Sequence, residues 1–213
     1  MIKDCKLFKD IDEKRIWEYI SAVNGIKRSY GNGQTVIEQG ECIDKLGIVI
    51  SGKLKAFRYS EDGNAGFISS FSENRIFADF LAISGCKKSP VSLTADGVCD
   101  VLLIPAVALF RTTAGFEYEC KQIAFNLLSL FSDQFFELKD RVYCLTAPTL
   151  REKIIRFLSL FNDDGKPFTI PYSRQELAEY LNAERSALSR ELMRMVNDGI
   201  IDCQGRKFLL KIR

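Results

Sequence analysis

The stretch SRQELAEYLNAERSALSREL, residues 173–192, carries two helix starts eleven positions apart, at Ser173 and Glu184. Ser173-Arg174-Gln175-Glu176 has the form of a capping box, in which the serine oxygen accepts from the backbone N–H three residues on and the glutamate reaches back. Leu177, Ala178, Tyr180 and Leu181 then supply the apolar face of a short helix. A second helix over residues 184–197 turns Ala187, Leu188, Leu192, Met195 and Val196 inward and stops at Gly199. Asn182 and Ala183 are left as the turn, and two short helices joined so tightly form a helix-turn-helix. The exposed start of the second helix holds Glu184, Arg185 and Ser186, then Ser189 and Arg190, with Arg194 a turn further on. An arginine in the major groove can donate two hydrogen bonds to guanine N7 and O6. Serine serves bases or phosphates, and helix N-termini favour phosphate oxygens. Ser173, Arg174 and Gln175 are placed to grip the DNA backbone. The competing reading is a solvated basic helix face in a small α domain, but capping, turn length and exposed chemistry all agree on DNA.

Working outward, residues 200–210 read as a hairpin with a basic tip at Arg206-Lys207, the wing of a winged helix. Upstream, residues 168–172 look like a short strand, and residues 162–167 are turn-forming. A helix over about 149–161 opens with Thr149-Leu150-Arg151-Glu152, a second capping-box pattern, after Pro148 has ended the preceding run. That run, residues 116–145, is free of Gly and Pro. One face reads Cys120, Ala124, Leu127, Phe131, Gln134, Leu138, Arg141, Leu145, a three-four alternation suited to a homodimer seam. The alternative for this helix is packing on its own domain. Between about Ile26 and Pro105, short apolar or alternating runs are punctuated by Gly, Asn and Asp, with readable hairpin turns at Ser51-Gly52 and Asp62-Gly63. The expected fold is α+β. An antiparallel, jelly-roll-like β-roll (residues 1–112) leads to a long dimerisation helix and hinge (113–146) and a C-terminal winged helix-turn-helix (147–213).

Composition narrows the function. The 213 residues include no histidine, which removes the commonest metal ligand, the usual general base and the ordinary proximal haem ligand. The seven cysteines stand singly with no C-x-x-C pair, which argues against a disulfide scaffold or a zinc site. There is no Walker loop, no G-x-S-x-G and no G-x-G-x-x-G, so an enzyme is not expected. No apolar run approaches the roughly 20 residues that cross a bilayer. The opening residues lack a secretion signal, so the cytoplasm is the expected compartment. Net charge is +2, and it is uneven: residues 147–213 carry 12 basic and 9 acidic side chains, the remainder 18 and 19.

On these residues the chain resembles the Crp/Fnr family of bacterial transcription regulators over nearly its whole length. GECIDKLGIVISGKLKAFRYSEDGN is similar to the family's β-roll, with Gly40, Gly52 and Gly63 at its turn glycines. Residues 173–192 resemble its recognition region, and Arg174, Arg185 and Arg190 match positions that contact DNA. Ser186 stands where the family often has a glutamate that reads a cytosine, which implies a different operator or looser readout at one base pair. The resemblance also implies a dimer on a double-stranded DNA operator, contact with RNA polymerase if the protein activates, and no membrane.

The ligand region departs from the family. Its cyclic-nucleotide binders carry F-G-E and then R-S-A, where the arginine pairs with the cyclic phosphate. Here the segments read Phe77-Ala78-Asp79 and Ser89-Pro90-Val91. Loss of that guanidinium removes a charge-assisted bond of roughly 1.5–3 kcal/mol, and Lys88 is a poor geometric substitute. Cyclic AMP is therefore not expected to bind. The family's iron-sulfur cluster needs several N-terminal cysteines, but Cys5 stands alone, and haem needs a histidine, so no cofactor is expected. What remains is a small organic effector, a redox-active cysteine such as Cys120 or Cys144 across the dimer axis, or no effector. By family geometry a pocket would be lined by Phe77, Asp79, Phe80, Ser89 and Ser129, of which the aromatics read equally well as plain core packing. A different class of function is a ligand- or protein-binding module that uses its helix-turn-helix for protein contact.

Overall fold

The computed structural model describes residues 2–85, 87–162 and 165–211; Cys86 and the Asp163-Asp164 part of the predicted turn lie outside the described residues. The chain divides into two compact units between residues 130 and 131.

In the first unit, α1 (Glu13–Ala22) starts at Asp12, whose carboxylate accepts from the backbone N–H groups of Lys14 and Arg15. Eight strands follow: β1 (Ile26–Tyr30), β2 (Thr35–Ile37), β3 (Lys45–Ser51), β4 (Lys53–Tyr59), β5 (Ala65–Ser72), β6 (Ile76–Phe77), β7 (Ser92–Ala95) and β8 (Cys99–Pro105), with the one-turn α2 (Asp79–Ile83) between β6 and β7. They form two four-stranded antiparallel sheets, ordered β1-β8-β3-β6 and β2-β7-β4-β5. This is the predicted β-roll. Alternation does the sorting: Leu54 and Ala56 of β4 are buried while Lys53 is exposed and Lys55 half-exposed, and Val49, Leu93, Ala95, Cys99 and Val101 join them in the core. Gly52 makes the β3–β4 turn at φ +81°, and any Cβ there would run into the Val98 carbonyl.

The long helix of the sequence reading is α3 (Glu117–Leu145). Its first half is bolted to the N-terminal segment. Buried Asn126 donates to the carbonyls of Leu7 (3.0 Å) and Lys9 (2.8 Å), and Glu119 accepts from Arg15 Nε at 2.6 Å. The Arg15 guanidinium also reaches the Gly115 carbonyl and lies 4.4 Å from the Phe116 ring centre.

The expected seam shifts. Cys120 and Leu127 are buried within their own unit, and Arg141 donates to the backbone carbonyls of Glu179 and Tyr180, so those positions of the face are taken, whereas Gln134 and Leu138 are exposed. The apolar side chains of α3 left in water include Phe125, Leu128, Phe135, Leu138 and Val142, each more than half exposed. They recur at three-four spacing around a gap at Ser132, a stripe that shares Leu138 with the predicted one and elsewhere lies one position from it.

The second unit continues from α3 into α4 (Leu150–Ser159), β9 (Phe168–Thr169), α5 (Arg174–Tyr180), α6 (Arg185–Asn197) and the hairpin β10 (Ile201–Gln204) and β11 (Lys207–Leu210). Its sheet runs β10-β11-β9, all antiparallel. Strand β9 is shorter than the predicted 168–172, because Pro171 has no N–H to extend a ladder whose last bond is Ile170 N–H to the Arg206 carbonyl. Ile154, Phe157, Leu177, Leu188, Leu192, Met195, Ile201 and Phe208 form one core, each worth about 1.5–3 kcal/mol on burial. No helix among the described residues is long and apolar enough to cross a membrane.

The Arg15 hydrogen bond, ahead of every other influence, holds the Glu119 carboxyl below its ordinary value of 4.5. A group depressed on folding contributes stability above its unfolded pKa and loses it as pH falls through the folded one. Glu119→Gln is therefore expected to lower stability at neutral pH and to flatten the loss below about pH 4.5, in urea titrations followed by circular dichroism at several pH values. Parallel pH profiles for the two proteins would refute the role given to this pair.

Candidate nucleic-acid interface

Helix α5 opens as the sequence requires. Ser173 Oγ accepts from the Glu176 N–H at 3.2 Å, and the Glu176 carboxylate accepts from the Ser173 N–H at 2.7 Å, a complete capping box. The Thr149 box at α4 forms only its threonine half among the described residues, with Thr149 Oγ1 accepting from the Glu152 N–H. Between α5 and α6, Asn182 takes a left-handed φ of +49° and Ala183 N–H bonds to the Ala178 carbonyl, which closes the turn. The first turn of α6 behaves differently: its N-cap is Glu184, and no side chain caps it. The free N–H groups there, at the positive end of a thirteen-residue helix, are available to an anion.

Around that end the electrostatics are arranged by one residue. Arg151, on α4, donates through Nε to Glu191 Oε1 at 2.6 Å and places Nη1 2.7 Å from Asp198 Oδ2. Glu191, in the middle of α6, and Asp198, its C-cap, are thereby drawn towards α4, while Glu184 stays exposed at the helix start beside Arg185. Arg185 and Arg190 are exposed and make no ion pair among the described residues, and Arg194 has only a 3.5 Å contact with Glu191. Ser186 and Ser189 are exposed beside them; Ser189 Oγ donates back to the Arg185 carbonyl, which leaves its lone pairs outward. Arg174 is half-buried and engaged: it bonds the Gly205 carbonyl (3.0 Å) and Cys203 Sγ (2.6 Å) and stacks 5.1 Å from the centre of the Phe208 ring. It joins α5 to the wing. Gln175 is exposed and bonded to Glu179.

A cyclic nucleotide-binding domain model matches residues 27–114, and a Crp-like helix-turn-helix domain model matches residues 152–213. The chain belongs to the Crp/Fnr family. It is 25% identical over 208 residues to the transcriptional activator protein FnrL of Cereibacter sphaeroides, spanning 91% of this chain and 80% of that protein. It is 24% identical over 189 residues to the transcriptional activator protein FnrA of Stutzerimonas stutzeri, spanning 84% and 74%. Its fold is that of the Thermus thermophilus catabolite activator protein (TM-score 0.51, 19% identity, 97% of this chain and 93% of that one). It is also that of the CprK structure complexed with OCPA (TM-score 0.53, 19% identity, 94% and 92%). This Crp/Fnr protein is a DNA-binding transcription regulator.

The residues named for an effector pocket are scattered in role. Phe77 is 1% exposed, packs against Gly47 so closely that a Cβ there would overlap its ring, and meets Phe71 edge-on; it is core. Ser89 is buried, but its hydroxyl donates to the Val91 carbonyl at 2.6 Å, so it is already satisfied. Phe80 is half exposed, Asp79 accepts from the Phe80 N–H, and Ser129 is exposed and donates to the Phe125 carbonyl. Ala78, at the middle of the F-G-E position, keeps a left-handed φ of +60° that a glycine would adopt freely, at about 1–2 kcal/mol of strain. A cavity of about 130 Å³ in this unit lies elsewhere, lined by residues that include Ile26, Arg28, Tyr30, Ile37, Cys42 and Leu103.

The cysteines also divide. Cys120 and Cys144 are buried thiols, and burial pushes Cys144 up to about 11, so neither is a ready nucleophile. Cys42, by contrast, is exposed and disulfide-bonded, a single crosslink that the scattered spacing did not point to. Spacing in sequence says nothing of which loops the β-roll brings side by side: Cys42 sits on a bridge opposite Lys88.

Proposed function

We propose that this regulator works in the cytoplasm as a homodimer, joined through the exposed stripe Phe125, Leu128, Phe135, Leu138 and Val142, on a pseudo-palindromic operator. Arg185, Ser186, Ser189, Arg190 and Arg194 face base edges and phosphates, while Ser173, Arg174 and Gln175 lie along the backbone. Half-sites then stand about 34–36 Å apart. The observation that carries this reading is the uncapped start of α6 beside Arg185 and Arg190, exposed cations that make no ion pair among the described residues. Relatives named as activators support promoter activation, for which RNA polymerase is the partner.

The effector of this reading is a small organic molecule other than cyclic AMP. Ser89 turns its hydroxyl onto its own loop, and the Pro90 carbonyl is held by Arg58 Nε at 3.3 Å, so this loop turns no arginine of its own towards a cyclic phosphate. A second reading has its own observation. The exposed Cys42 disulfide suits a redox-responsive regulator, in which a peroxide takes two electrons and two protons from a pair of thiols.

Arg185→Ala and Arg190→Ala are each expected to weaken binding to a promoter fragment by about 1–3 kcal/mol, roughly ten- to hundredfold, in fluorescence anisotropy at fixed salt. Unchanged affinity in both variants would remove α6 as the reading helix. Calorimetric titration with cyclic AMP is expected to give no isotherm; micromolar affinity would overturn the argument from Ser89. For the redox reading, peptide mapping without reductant should recover Cys42 in a linked pair, and dithiothreitol should alter the promoter affinity of the natural chain but not of Cys42→Ser. An identical response in both proteins would dismiss it.

A further inference from the structure

The second unit holds a larger cavity, of about 340 Å³, away from the DNA-facing side chains. Its walls come from three places distant in sequence: α3 contributes Asp133, Phe136, Glu137 and Asp140, the end of α4 contributes Phe157, Leu160 and Phe161, and Tyr172 and Tyr180 flank α5. Five aromatic rings therefore meet three carboxylates. The rings are held as a set: Phe157 lies 5.5 Å from Tyr172, 5.2 Å from Tyr180 and 5.2 Å from Phe161, and Tyr172 lies 5.5 Å from Tyr180, centre to centre.

Glu137 and Asp140 form no ion pair among the described residues, although Asp133 does have a partner. Two cations already lie against rings of this wall: Arg141, which bonds the Glu179 and Tyr180 carbonyls, has its guanidinium 5.7 Å from the Tyr180 ring centre, and Lys139 Nζ sits 5.5 Å from that of Phe136. Burial, then the neighbouring charges, raises the phenols of Tyr172 and Tyr180, Tyr180 to about 12, so they stay neutral and present ring faces rather than charge. No group of three or more acids or cysteines among the described residues is close enough to hold a metal ion. An aromatic-walled cavity edged by carboxylates is suited to a cation that carries apolar surface, since ring faces and acids attract it together.

We propose that this cavity is a binding site for an organic ammonium ion, a primary or quaternary amine with an apolar body. It is separate from the family's β-roll ligand region, and of opposite charge preference to a site for an anionic nucleotide. It also lies on the opposite side of α3 from the proposed dimer stripe, because Glu137 and Asp140 are about half a turn away from Phe135 and Val142. Tyr172 precedes the Ser173 cap and Tyr180 ends α5, so an occupant touches both ends of the first helix of the helix-turn-helix. Occupancy then changes operator affinity.

The test uses the full chain and three probes of one shape: phenethylammonium, its neutral counterpart 2-phenylethanol, and the anion phenylacetate. Calorimetry is expected to show a dissociation constant below about 1 mM for the ammonium and at least about tenfold weaker binding for the other two. Glu137→Gln with Asp140→Asn should weaken the ammonium by at least about tenfold while circular dichroism and melting stay unchanged. Phe136→Leu, at an exposed ring, supplies an independent second variant. No heat with any probe, equal binding of the amine and the alcohol, or unaltered affinity in the variants would overturn the proposal. These measurements contain no DNA, so their failure is distinguishable from a failure of the operator-binding reading.

Discussion

Arg151 is the residue on which the presentation of the reading helix depends. One guanidinium on α4 takes up both Glu191 and Asp198 of α6, and each partner raises its affinity for the proton further. The contacts are partly exposed, so their worth lies less in stability than in geometry. They fix the rotation of α6 about its own axis, with Leu188, Leu192 and Met195 buried on the same side. They also leave the opposite side with arginines and serines only lightly opposed by acids. Packing and electrostatics thus select the same orientation, which is the consistency expected of a sequence that specifies one structure.

The two units contrast in how they use polar side chains. In the second, side-chain hydrogen bonds at the helix starts are local: Ser173 with Glu176, Thr149 with Glu152. In the first, bonds to the start of the long helix join segments far apart in the chain, as when Asn126 takes the carbonyls of Leu7 and Lys9, or Arg15 spans to Glu119. Local bonds of the former kind leave a mark in a short window of sequence; bonds of the latter kind do not.

That difference explains what could be read from the residues alone. The helix-turn-helix was legible because a capping box, an apolar face and a stop at Gly199 all fall within thirty residues. The β-roll was legible from alternation and from turns at Gly52 and Gly63, each confirmed by a positive φ. The exposed apolar stripe on α3 differs from the expected seam because a helix apolar on several sides does not reveal which side its own domain covers; only the burial of Cys120, Ile123 and Leu127 does that. Phe77 looked equally like a ligand contact or core until Gly47 was found beneath its ring. The Cys42 disulfide and the acid-aromatic cavity depend on loops and helices brought together from distant positions, and no local pattern encodes them.

The hold of Arg174 on the wing has a thermodynamic side. Its guanidinium is already spent on the Gly205 carbonyl, the Cys203 sulfur and the Phe208 ring. A phosphate that recruits it must either share those donors or release the hairpin tip they restrain. Backbone grip by this arginine and the freedom of β10 and β11 are then two faces of a single equilibrium. The chain can exchange rigidity in its wing for an electrostatic contact on the duplex, and the chemical state of the Cys203 thiol sits directly on that exchange.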